Sequence, residues 1–266
     1  MQEDFMHATF APPKAHDRSA APLEDLLNPR QCAFFFDVDG TLIDIAIHPD
    51  AVSVPKSLLD TLDILDRETG GALALVSGRP VAGLDALFSP LRLAASGVHG
   101  AEVRLSPDAE TARQSPALAE GLRGAVAALA RDLEGVLVED KGSSIALHYR
   151  LNPEIGPRLR ETLAGFVAAD AGLALLPGRL VFELKHAGHD KGSAVRQFMQ
   201  TPAFAGRTPV FMGDDVTDEA AFAVIKDMGG IVISVGRDFP DADVVLPEAQ
   251  DVRALLDTIA ANSRRA

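Results

Sequence analysis

The sequence predicts an α/β protein in which a parallel sheet covered by helices is interrupted by a smaller α+β segment. After residue 30, short apolar runs alternate with helical patterns in the order β-α-β-α-β, which is typical of a parallel sheet. Between residues 103 and 182 the pattern changes to neighbouring strands with short turns, which favours an antiparallel sheet with helices. We therefore expect a core formed by residues 31–102 and 183–266 and an inserted domain at residues 103–182.

Apolar runs and chain-breaking residues place the elements of the core. The run at residues 33–36 is continuously apolar, as expected of a strand buried on both faces. The next helix begins at Pro55, carries leucines at helical spacing and ends at Gly70 and Gly71. The other predicted core elements are strands at 73–76, 91–95, 209–212, 231–235 and near 244, and helices at 81–88, 191–199 and from residues 218 and 251 onward.

Polar side chains mark one face of the inserted domain. Because side chains alternate along a strand, His148 and Arg150 face the same side of their predicted strand. Glu183 and Lys185 repeat this spacing near the return to the core, and Lys141 lies at a turn between two strands. The insertion is expected to hold helices at 118–133 and 154–169 and strands near 103 and at 136–138, 144–149, 173–176 and 180–182, with a second turn at 177–178.

Composition excludes several classes of protein. Of the 266 residues, 38 are acidic and 25 basic, giving a net charge of −13, and nucleic-acid binding is not expected of such a chain. The single cysteine, Cys32, excludes an internal disulfide and a multi-cysteine zinc site, and its apolar neighbours predict buried packing.

The N-terminal segment and the hydropathy of the chain predict its location in the cell. Residues 1–30 are expected to form a flexible extension, with a short helix at residues 23–27. They contain no apolar run typical of a secretory signal, and the chain has no apolar stretch long enough to span a membrane. We expect a soluble cytoplasmic protein without membrane partners.

Two groups of carboxylates follow predicted strands. Asp37 and Asp39 come directly after the first strand, where the carboxyl ends of a parallel sheet bind ligands. An aspartate there is a candidate nucleophile towards phosphorus, and one two residues on is a candidate general acid and base. Asp214, Asp215 and Asp218 follow the strand at residues 209–212. Two like charges 4 Å apart repel by about 4 kcal/mol at an effective dielectric constant near 20, so converging carboxylates require a cation. Oxygen ligands alone favour Mg²⁺.

Two further motifs complete a candidate phosphoryl-transfer site. Ser77, Gly78 and Arg79 follow the second strand and offer a hydroxyl and backbone N–H groups to a phosphoryl oxygen. Lys191 begins a predicted helix and offers a cation to the phosphate and to Asp37. Each motif alone is common, and it is their order at successive element ends that indicates the chemistry.

This set of motifs resembles the haloacid dehalogenase (HAD) superfamily of phosphohydrolases and, more narrowly, the trehalose-6-phosphate phosphatase family. The narrower resemblance covers residues 31–260 and rests on the segments 77–79, 97–102, 148–150, 183–185 and 206–219. It implies a Rossmann-like core with an inserted cap of the C2B type, an Mg²⁺ cofactor, trehalose 6-phosphate as substrate and functional coupling to a trehalose-6-phosphate synthase.

The resemblance also implies a role for each site residue. Asp37 would be the nucleophile, Asp39 the general acid and base, and Ser77 and Lys191 would neutralise the phosphoryl oxygens. Asp37 and Asp214 would bind Mg²⁺ through carboxylates and Asp39 through its backbone carbonyl, while Asp215 and Asp218 would orient the ligands and Lys191. Substrate-binding residues would be Ser77, Gly78, Arg79, Lys141, His148, Arg150, Glu183 and Lys185.

Other functions stay open at this point. The same chemistry on sucrose phosphate or a hexose phosphate is the main alternative. A phosphomutase would have to retain the phosphoryl group, and a P-type ATPase or a dehalogenase lacks an acid at the position of Asp39. A phosphosugar-binding regulator without catalysis would not require the complete set of catalytic residues.

Overall fold

The computed structural model describes residues 22–45 and 52–264, which form two sheets flanked by helices. In chain order the elements are α1 (Leu23–Leu26), β1 (Cys32–Phe36), α2 (Lys56–Thr69), β2 (Leu73–Val76), α3 (Val81–Leu87), β3 (Ala94–Gly97), β4 (Glu102–Arg104), β5 (Ala112–Arg113), α4 (Glu120–Arg131), β6 (Leu137–Asp140), β7 (Ser144–His148), α5 (Gly156–Ala169), β8 (Leu173–Gly178), β9 (Val181–His186), α6 (Lys191–Met199), β10 (Thr208–Gly213), α7 (Glu219–Asp227), β11 (Ile231–Val235), β12 (Val244–Leu246) and α8 (Ala249–Ser263).

The larger sheet has eight strands in the order β12-β11-β10-β1-β2-β3-β4-β5, and its neighbouring strands are parallel except that β4 is antiparallel to both β3 and β5. Side chains of β1 alternate between two apolar clusters, with Phe34 and Phe36 in one and Phe35 in the other. Helices α2, α3 and α8 cover the first face, and α6 and α7 cover the second. Because β1 is buried on both sides, it is apolar throughout, as the sequence predicted.

The smaller sheet is antiparallel, with the order β6-β7-β9-β8. Its apolar face packs on α4 and α5 around Val126, Leu147, Leu159 and Leu184. The polar side chains of the smaller sheet lie on its other face, where they are available to a ligand. The fold class predicted from the sequence, a parallel α/β unit with an α+β insertion, is confirmed.

The structure places both ends of the insertion further along the chain than predicted. β4 pairs with β3 and extends the larger sheet, because the chain turns back through a 3₁₀ helix at Val98–Gly100. β9 pairs with β7 and β8 and belongs to the smaller sheet, although the prediction assigned residues from 183 onward to the core. Polar Glu183 and Lys185 interrupt the apolar pattern, which made β9 look shorter than it is.

The N-terminal prediction needs a similar correction. Residues 1–21 lie outside the described residues, but α1 confirms the short helix predicted at residues 23–27. Leu27 is fully buried, and Leu23 and Leu26 pack on the same cluster as α8. Residues 22–30 are therefore part of the core and do not belong to a flexible extension. Cys32 is buried, as predicted.

Other boundaries differ by a few residues. β3 begins at Ala94 and not at Leu91, and its pairing with β2 runs from Ala94 to Ser96. The predicted turn at residues 177–178 lies at residues 179–180, where Leu180 has a φ of 58°. Among the described residues no helix is long and apolar enough to cross a bilayer.

Candidate active site

The strand order brings the predicted catalytic residues to one edge of the larger sheet. β1 lies between β10 and β2, with Phe36 paired to Met212 on one side and to Leu75 on the other. The residues that follow these three strands, Asp37, Asp214 and Ser77, therefore lie side by side. All three line one cavity of about 170 Å³. Parallel pairing thus joins motifs that are 40 to 177 residues apart in the sequence.

Lys191 holds the candidate nucleophile from the neighbouring helix. It is the first residue of α6, and its side chain is 2% exposed. Nζ donates to Asp37 Oδ1 at 2.7 Å and to Asp218 Oδ1 at 2.6 Å. The other oxygen, Asp37 Oδ2, accepts only a long hydrogen bond of 3.4 Å from Thr41 Oγ1 among the hydrogen bonds of the described residues. Asp37 Oδ2 is consequently the less engaged of the two carboxylate oxygens.

Asp218 shapes the loop that carries Asp214. Its Oδ2 accepts from the backbone N–H groups of Asp214 and Asp215 at 3.1 and 3.0 Å, while Oδ1 binds Lys191. Gly40 completes this arrangement, because a Cβ at its position would overlap the Asp214 carboxylate. Asp218 therefore orients both Lys191 and the loop from a fully buried position behind the cavity.

Asp215 has different neighbours from those predicted. Its side chain accepts from the backbone N–H of Val216 at 2.8 Å, from Arg237 Nη2 at 3.3 Å and from the backbone N–H of Arg179 at 3.2 Å. Arg179 lies in the β8–β9 turn, so Asp215 links the insertion to the core. The hydrogen bonds of Lys191 go to Asp37 and Asp218, so of the two aspartates predicted to orient Lys191 it is Asp218 that contacts it.

The carboxylates raise one another's pKa values. Burial raises the pKa of Asp37 to about 6, against the opposing effect of the Lys191 ammonium. Burial, together with the charges of Asp37 and Asp218, raises the pKa of Asp214 to about 9. Burial alone would lower the pKa of Lys191, but the charges of Asp218 and Asp37 outweigh it and raise that pKa. Lys191 remains cationic, and the protein on its own keeps a proton on Asp214 at neutral pH.

The carboxylates fit a divalent cation. Oxygens of Asp37, Asp214 and Asp218 lie within 4.8 Å of one another, and Asp214 Oδ1 is buried without a hydrogen-bond partner among the described residues. Oxygen donors of this kind suit Mg²⁺. The side chain of Asp39 is not part of this group, because Arg79 binds it through Nε and Nη2 at 2.6 and 2.7 Å.

Polar residues of the insertion form the other wall of the cavity. Lys141 Nζ donates to Glu183 Oε2 at 2.8 Å, and His99 Nε2 from the core lies 3.3 Å from the same oxygen. Burial opposes the charge on Glu183, but Lys141 and His99 hold the pKa of Glu183 well below its usual range. Glu183 is ionised, and its Oε1 is buried without a hydrogen-bond partner among the described residues.

Most of the predicted substrate-binding residues line the cavity, and one does not. Lys185 is buried and donates to the backbone carbonyl of His189, so it supports the return of the chain to α6. It shares a face of β9 with Glu183 but lies nearer the core, which spacing alone does not reveal. The predicted residues that line the cavity are Asp37, Asp39, Ser77, Gly78, Arg79, Lys141, His148, Arg150, Glu183, Lys191, Asp214 and Asp215.

Sequence reasoning missed Glu139. This residue of β6 lines the cavity, and its Oε2 lies 3.0 Å from His148 Nε2 on β7. A partial signal was present, because Glu139 lies two residues before the turn residue Lys141, a spacing that places side chains on the same side of an extended chain. His99, which belongs to the segment 97–102 on which the family resemblance rests, lines the cavity as well.

Comparison with known proteins identifies the family. The profile of the trehalose-phosphatase family matches residues 35–244. A probable trehalose-phosphate phosphatase from Sinorhizobium fredii is 40% identical over 86% of this chain and 87% of its own length. Trehalose-6-phosphate phosphatase from Escherichia coli K12 is 40% identical over 85% of this chain and 86% of its own length. The chain belongs to the trehalose-phosphatase family.

Solved structures share the fold. The C-terminal domain of trehalose-6-phosphate phosphatase from Candida albicans superposes with a TM-score of 0.79 at 22% identity, over 91% of this chain and 97% of that domain. A phosphatase of the HAD superfamily from Bacteroides thetaiotaomicron gives a TM-score of 0.58 at 15% identity, over 92% of this chain and 99% of that one. The resemblance inferred from the motifs is confirmed, and the fold is that of HAD phosphatases. We refer to the insertion as the cap from here on.

Proposed function

We propose that this trehalose-phosphatase family member hydrolyses trehalose 6-phosphate to trehalose and phosphate. The observation that carries the proposal is that one cavity lies between a wall of core residues and a wall of cap residues, which differ in chemistry. The core wall presents Asp37, Ser77 and Lys191 to a phosphoryl group, and the cap wall presents Glu183 and His148 to sugar hydroxyls. The 40% identical relatives with this activity support the same substrate.

Asp37 and Asp39 divide the chemistry in the proposed mechanism. Asp37 Oδ2 attacks phosphorus and the bond to the sugar oxygen breaks, while Asp39 transfers a proton to that oxygen. Water then attacks the aspartyl-phosphate, Asp39 takes up its proton, and the carboxylate of Asp37 is restored as phosphate leaves. Lys191 and the hydroxyl of Ser77 stabilise the charge on the phosphoryl oxygens, the electrostatic contribution that usually dominates such reactions.

Mg²⁺ is the proposed cofactor. Asp37 and Asp214 would hold it through their carboxylates and Asp39 through its backbone carbonyl, and it would neutralise negative charge on the phosphate. The raised pKa of Asp214 and its buried Oδ1 without a hydrogen-bond partner among the described residues support a cation at this position.

The cap wall supplies the proposed selectivity for a disaccharide. Sugar hydroxyls both donate and accept hydrogen bonds, so a matching wall needs both types of group. Glu183 Oε1 is a buried acceptor, the Glu139–His148 pair offers an acceptor and a donor, and Arg150 lines the same cavity. A buried acceptor left without a hydrogen bond costs about 1–3 kcal/mol, so hydroxyls that satisfy Glu183 bind favourably.

Product analysis tests this proposal. The protein is incubated with trehalose 6-phosphate with and without Mg²⁺, and released phosphate and free trehalose are measured together. Equimolar release that requires Mg²⁺ is expected, and release of neither product would overturn the proposal. Sucrose phosphate and hexose phosphates are the alternative substrates. Supply of the substrate by a trehalose-6-phosphate synthase and location in the cytoplasm stay predictions.

A further inference from the structure

We infer that Asp215 is a positioning residue that docks the β8–β9 turn of the cap on the core and thereby fixes one wall of the catalytic cavity. The inference rests on the proposed phosphatase activity, because the wall concerned belongs to the same site. It gives Asp215 a role that differs from the one predicted from the sequence, in which this residue would orient the metal ligands and Lys191.

The two carboxylate oxygens of Asp215 serve different parts of the protein. Oδ1 accepts from the backbone N–H of Val216 at 2.8 Å and from Arg237 Nη2 at 3.3 Å, both in the core. The Arg237 guanidinium lies over the ring of buried Phe239, 4.5 Å from its centroid, so this partner is anchored in the core. Oδ2 accepts from the backbone N–H of Arg179 in the cap at 3.2 Å. One carboxylate therefore joins a fixed position in the core to the tip of a cap hairpin.

The hairpin approaches the core closely at this point. A Cβ on Gly178 would lie 3.2 Å from Asp215 Oδ2, so a side chain there would press on the carboxylate. Strand β8 packs on the 3₁₀ helix Val216–Asp218, which directly follows Asp215. The donor in the turn is a main-chain N–H, so the contact depends on the path of the chain and not on the side chain of Arg179.

The docked turn forms part of the catalytic cavity. Gly178, Arg179 and Val181 line it, as does Asp215. A second cavity of about 470 Å³ shares Arg179, Asp214 and Asp215 with the first. The contact between Asp215 and the turn thus lies where the two cavities meet. Loss of this contact is expected to release the turn, so that the cap wall no longer keeps a fixed distance from the core.

Asp215→Asn is the most specific variant for testing this role. The amide keeps the size of the side chain and one acceptor oxygen, and two donors on the core side, the Val216 N–H and Arg237, are expected to engage that oxygen. The NH₂ group then faces the N–H of Arg179, donor against donor, and the contact with the cap is lost. Asp215→Ala removes both acceptors and provides a second variant.

The matched control is Asp227→Asn. Asp227 is the last residue of α7 and forms an exposed ion pair with Arg196 at 3.1 Å, outside the lining of the cavity. The same chemical change is thereby made where no contact between cap and core exists. All proteins are studied in full length with Mg²⁺ present.

Two measurements test the inference. The rate of hydrogen exchange at the Arg179 amide reports the docking contact itself. The values of kcat and KM for trehalose 6-phosphate and for an aryl phosphate report what the contact does for substrates with and without a sugar. Amides of β7, an interior strand of the cap sheet, provide the internal reference for the stability of the cap.

For both Asp215 variants we expect the Arg179 amide to exchange about tenfold faster, while the amides of β7 keep their rates. The KM for trehalose 6-phosphate should rise about tenfold, because a smaller fraction of the enzyme then holds the cap in the docked position. The kcat for the aryl phosphate should stay within about threefold of the wild type, and Asp227→Asn should change none of these values.

Unchanged exchange at Arg179, or an unchanged KM for trehalose 6-phosphate, would overturn the inference. Equal losses on both substrates would also overturn it, because they would place Asp215 in the metal or phosphate site. The exchange measurement needs no substrate, whereas turnover of trehalose 6-phosphate by the wild type tests the proposed function. Failure of the one is therefore distinguishable from failure of the other.

Discussion

Arg79 holds Asp39 through two parallel hydrogen bonds, from Nε to Oδ2 at 2.6 Å and from Nη2 to Oδ1 at 2.7 Å. Both carboxylate oxygens of Asp39 are engaged by this guanidinium, whereas a general acid must reach the leaving oxygen with one of them. A bound phosphate dianion competes for the same guanidinium, since Arg79 lines the cavity. Arrival of the substrate is therefore expected to free Asp39 for proton transfer.

Asp39→Asn should have an effect that depends on the leaving group. The amide cannot donate a proton to the sugar oxygen and take one from water, so hydrolysis of trehalose 6-phosphate should fall by about 10²–10⁴-fold. Formation of the aspartyl-phosphate from an aryl phosphate should fall much less, because a phenolate leaves without a proton. Rapid-quench measurement of the first turnover gives both rates, and equal losses would remove Asp39 from the role of general acid.

Asp37→Asn should abolish turnover of every phosphate ester and preserve the fold. The amide is close in shape to the carboxylate but cannot attack phosphorus. Phosphate release and the far-ultraviolet circular dichroism spectrum check the two halves of this prediction. Substantial activity in a well-folded variant would exclude the covalent mechanism.

Asp214→Asn should stabilise the metal-free protein at neutral and alkaline pH. The pKa of Asp214 is raised to about 9 in the folded protein, compared with about 3.9 for an unfolded aspartate. Between these pH values the folded state thus binds more protons than the unfolded state, so the free energy of unfolding falls as pH rises through this window. The Asp214→Asn variant has no carboxyl group at this position and does not lose stability in this way.

Thermal unfolding in a chelator at pH 6 and pH 8.5 measures the difference. Because 1 kcal/mol shifts the melting temperature of a protein of this size by roughly 2–4 °C, the variant should melt several degrees above the wild type at pH 8.5, with a smaller gap at pH 6. Mg²⁺ should raise the melting temperature of the wild type only. A variant that is less stable than the wild type at pH 8.5 would contradict the assigned pKa.

His148→Ala and Lys185→Met should differ in substrate preference. His148 lines the cavity, so its loss should lower kcat/KM for trehalose 6-phosphate about tenfold, or ~1.4 kcal/mol, and change that for an aryl phosphate by less than about threefold. Lys185 lies outside the cavity lining, so Lys185→Met should leave the ratio of the two kcat/KM values unchanged. A changed ratio for Lys185→Met would return this residue to the substrate site.

The parallel core could be predicted because its signals are local. An apolar run followed by Asp37 or Asp214 predicts both a buried strand and the sheet edge at which the aspartate side chain lies. The parallel order of the strands then brings these edges together. The roles of Asp218 and Lys191 were accessible for the same reason, since both lie at helix starts next to the cavity.

The cap contacts could not be predicted in this way. Glu183 and Lys185 lie two residues apart on the same face of β9. Only the position of β9 relative to α6 determines that Glu183 lines the cavity and that Lys185 binds the backbone carbonyl of His189. The Arg79–Asp39 pair and the Lys141–Gly78 hydrogen bond join residues 40 and 63 positions apart, and no sequence period reports such distances.

The cap wall is expected to select a disaccharide phosphate over a monosaccharide phosphate, and a ratio of two kcat/KM values measures this selection. The kcat/KM for trehalose 6-phosphate is divided by that for glucose 6-phosphate, which presents the same phosphoester on a single ring, with Mg²⁺ present and the same enzyme preparation. We predict a ratio of at least about ten, or ~1.4 kcal/mol of additional transition-state binding from the second ring. A ratio near one would show that the cap does not read the disaccharide and would contradict this account.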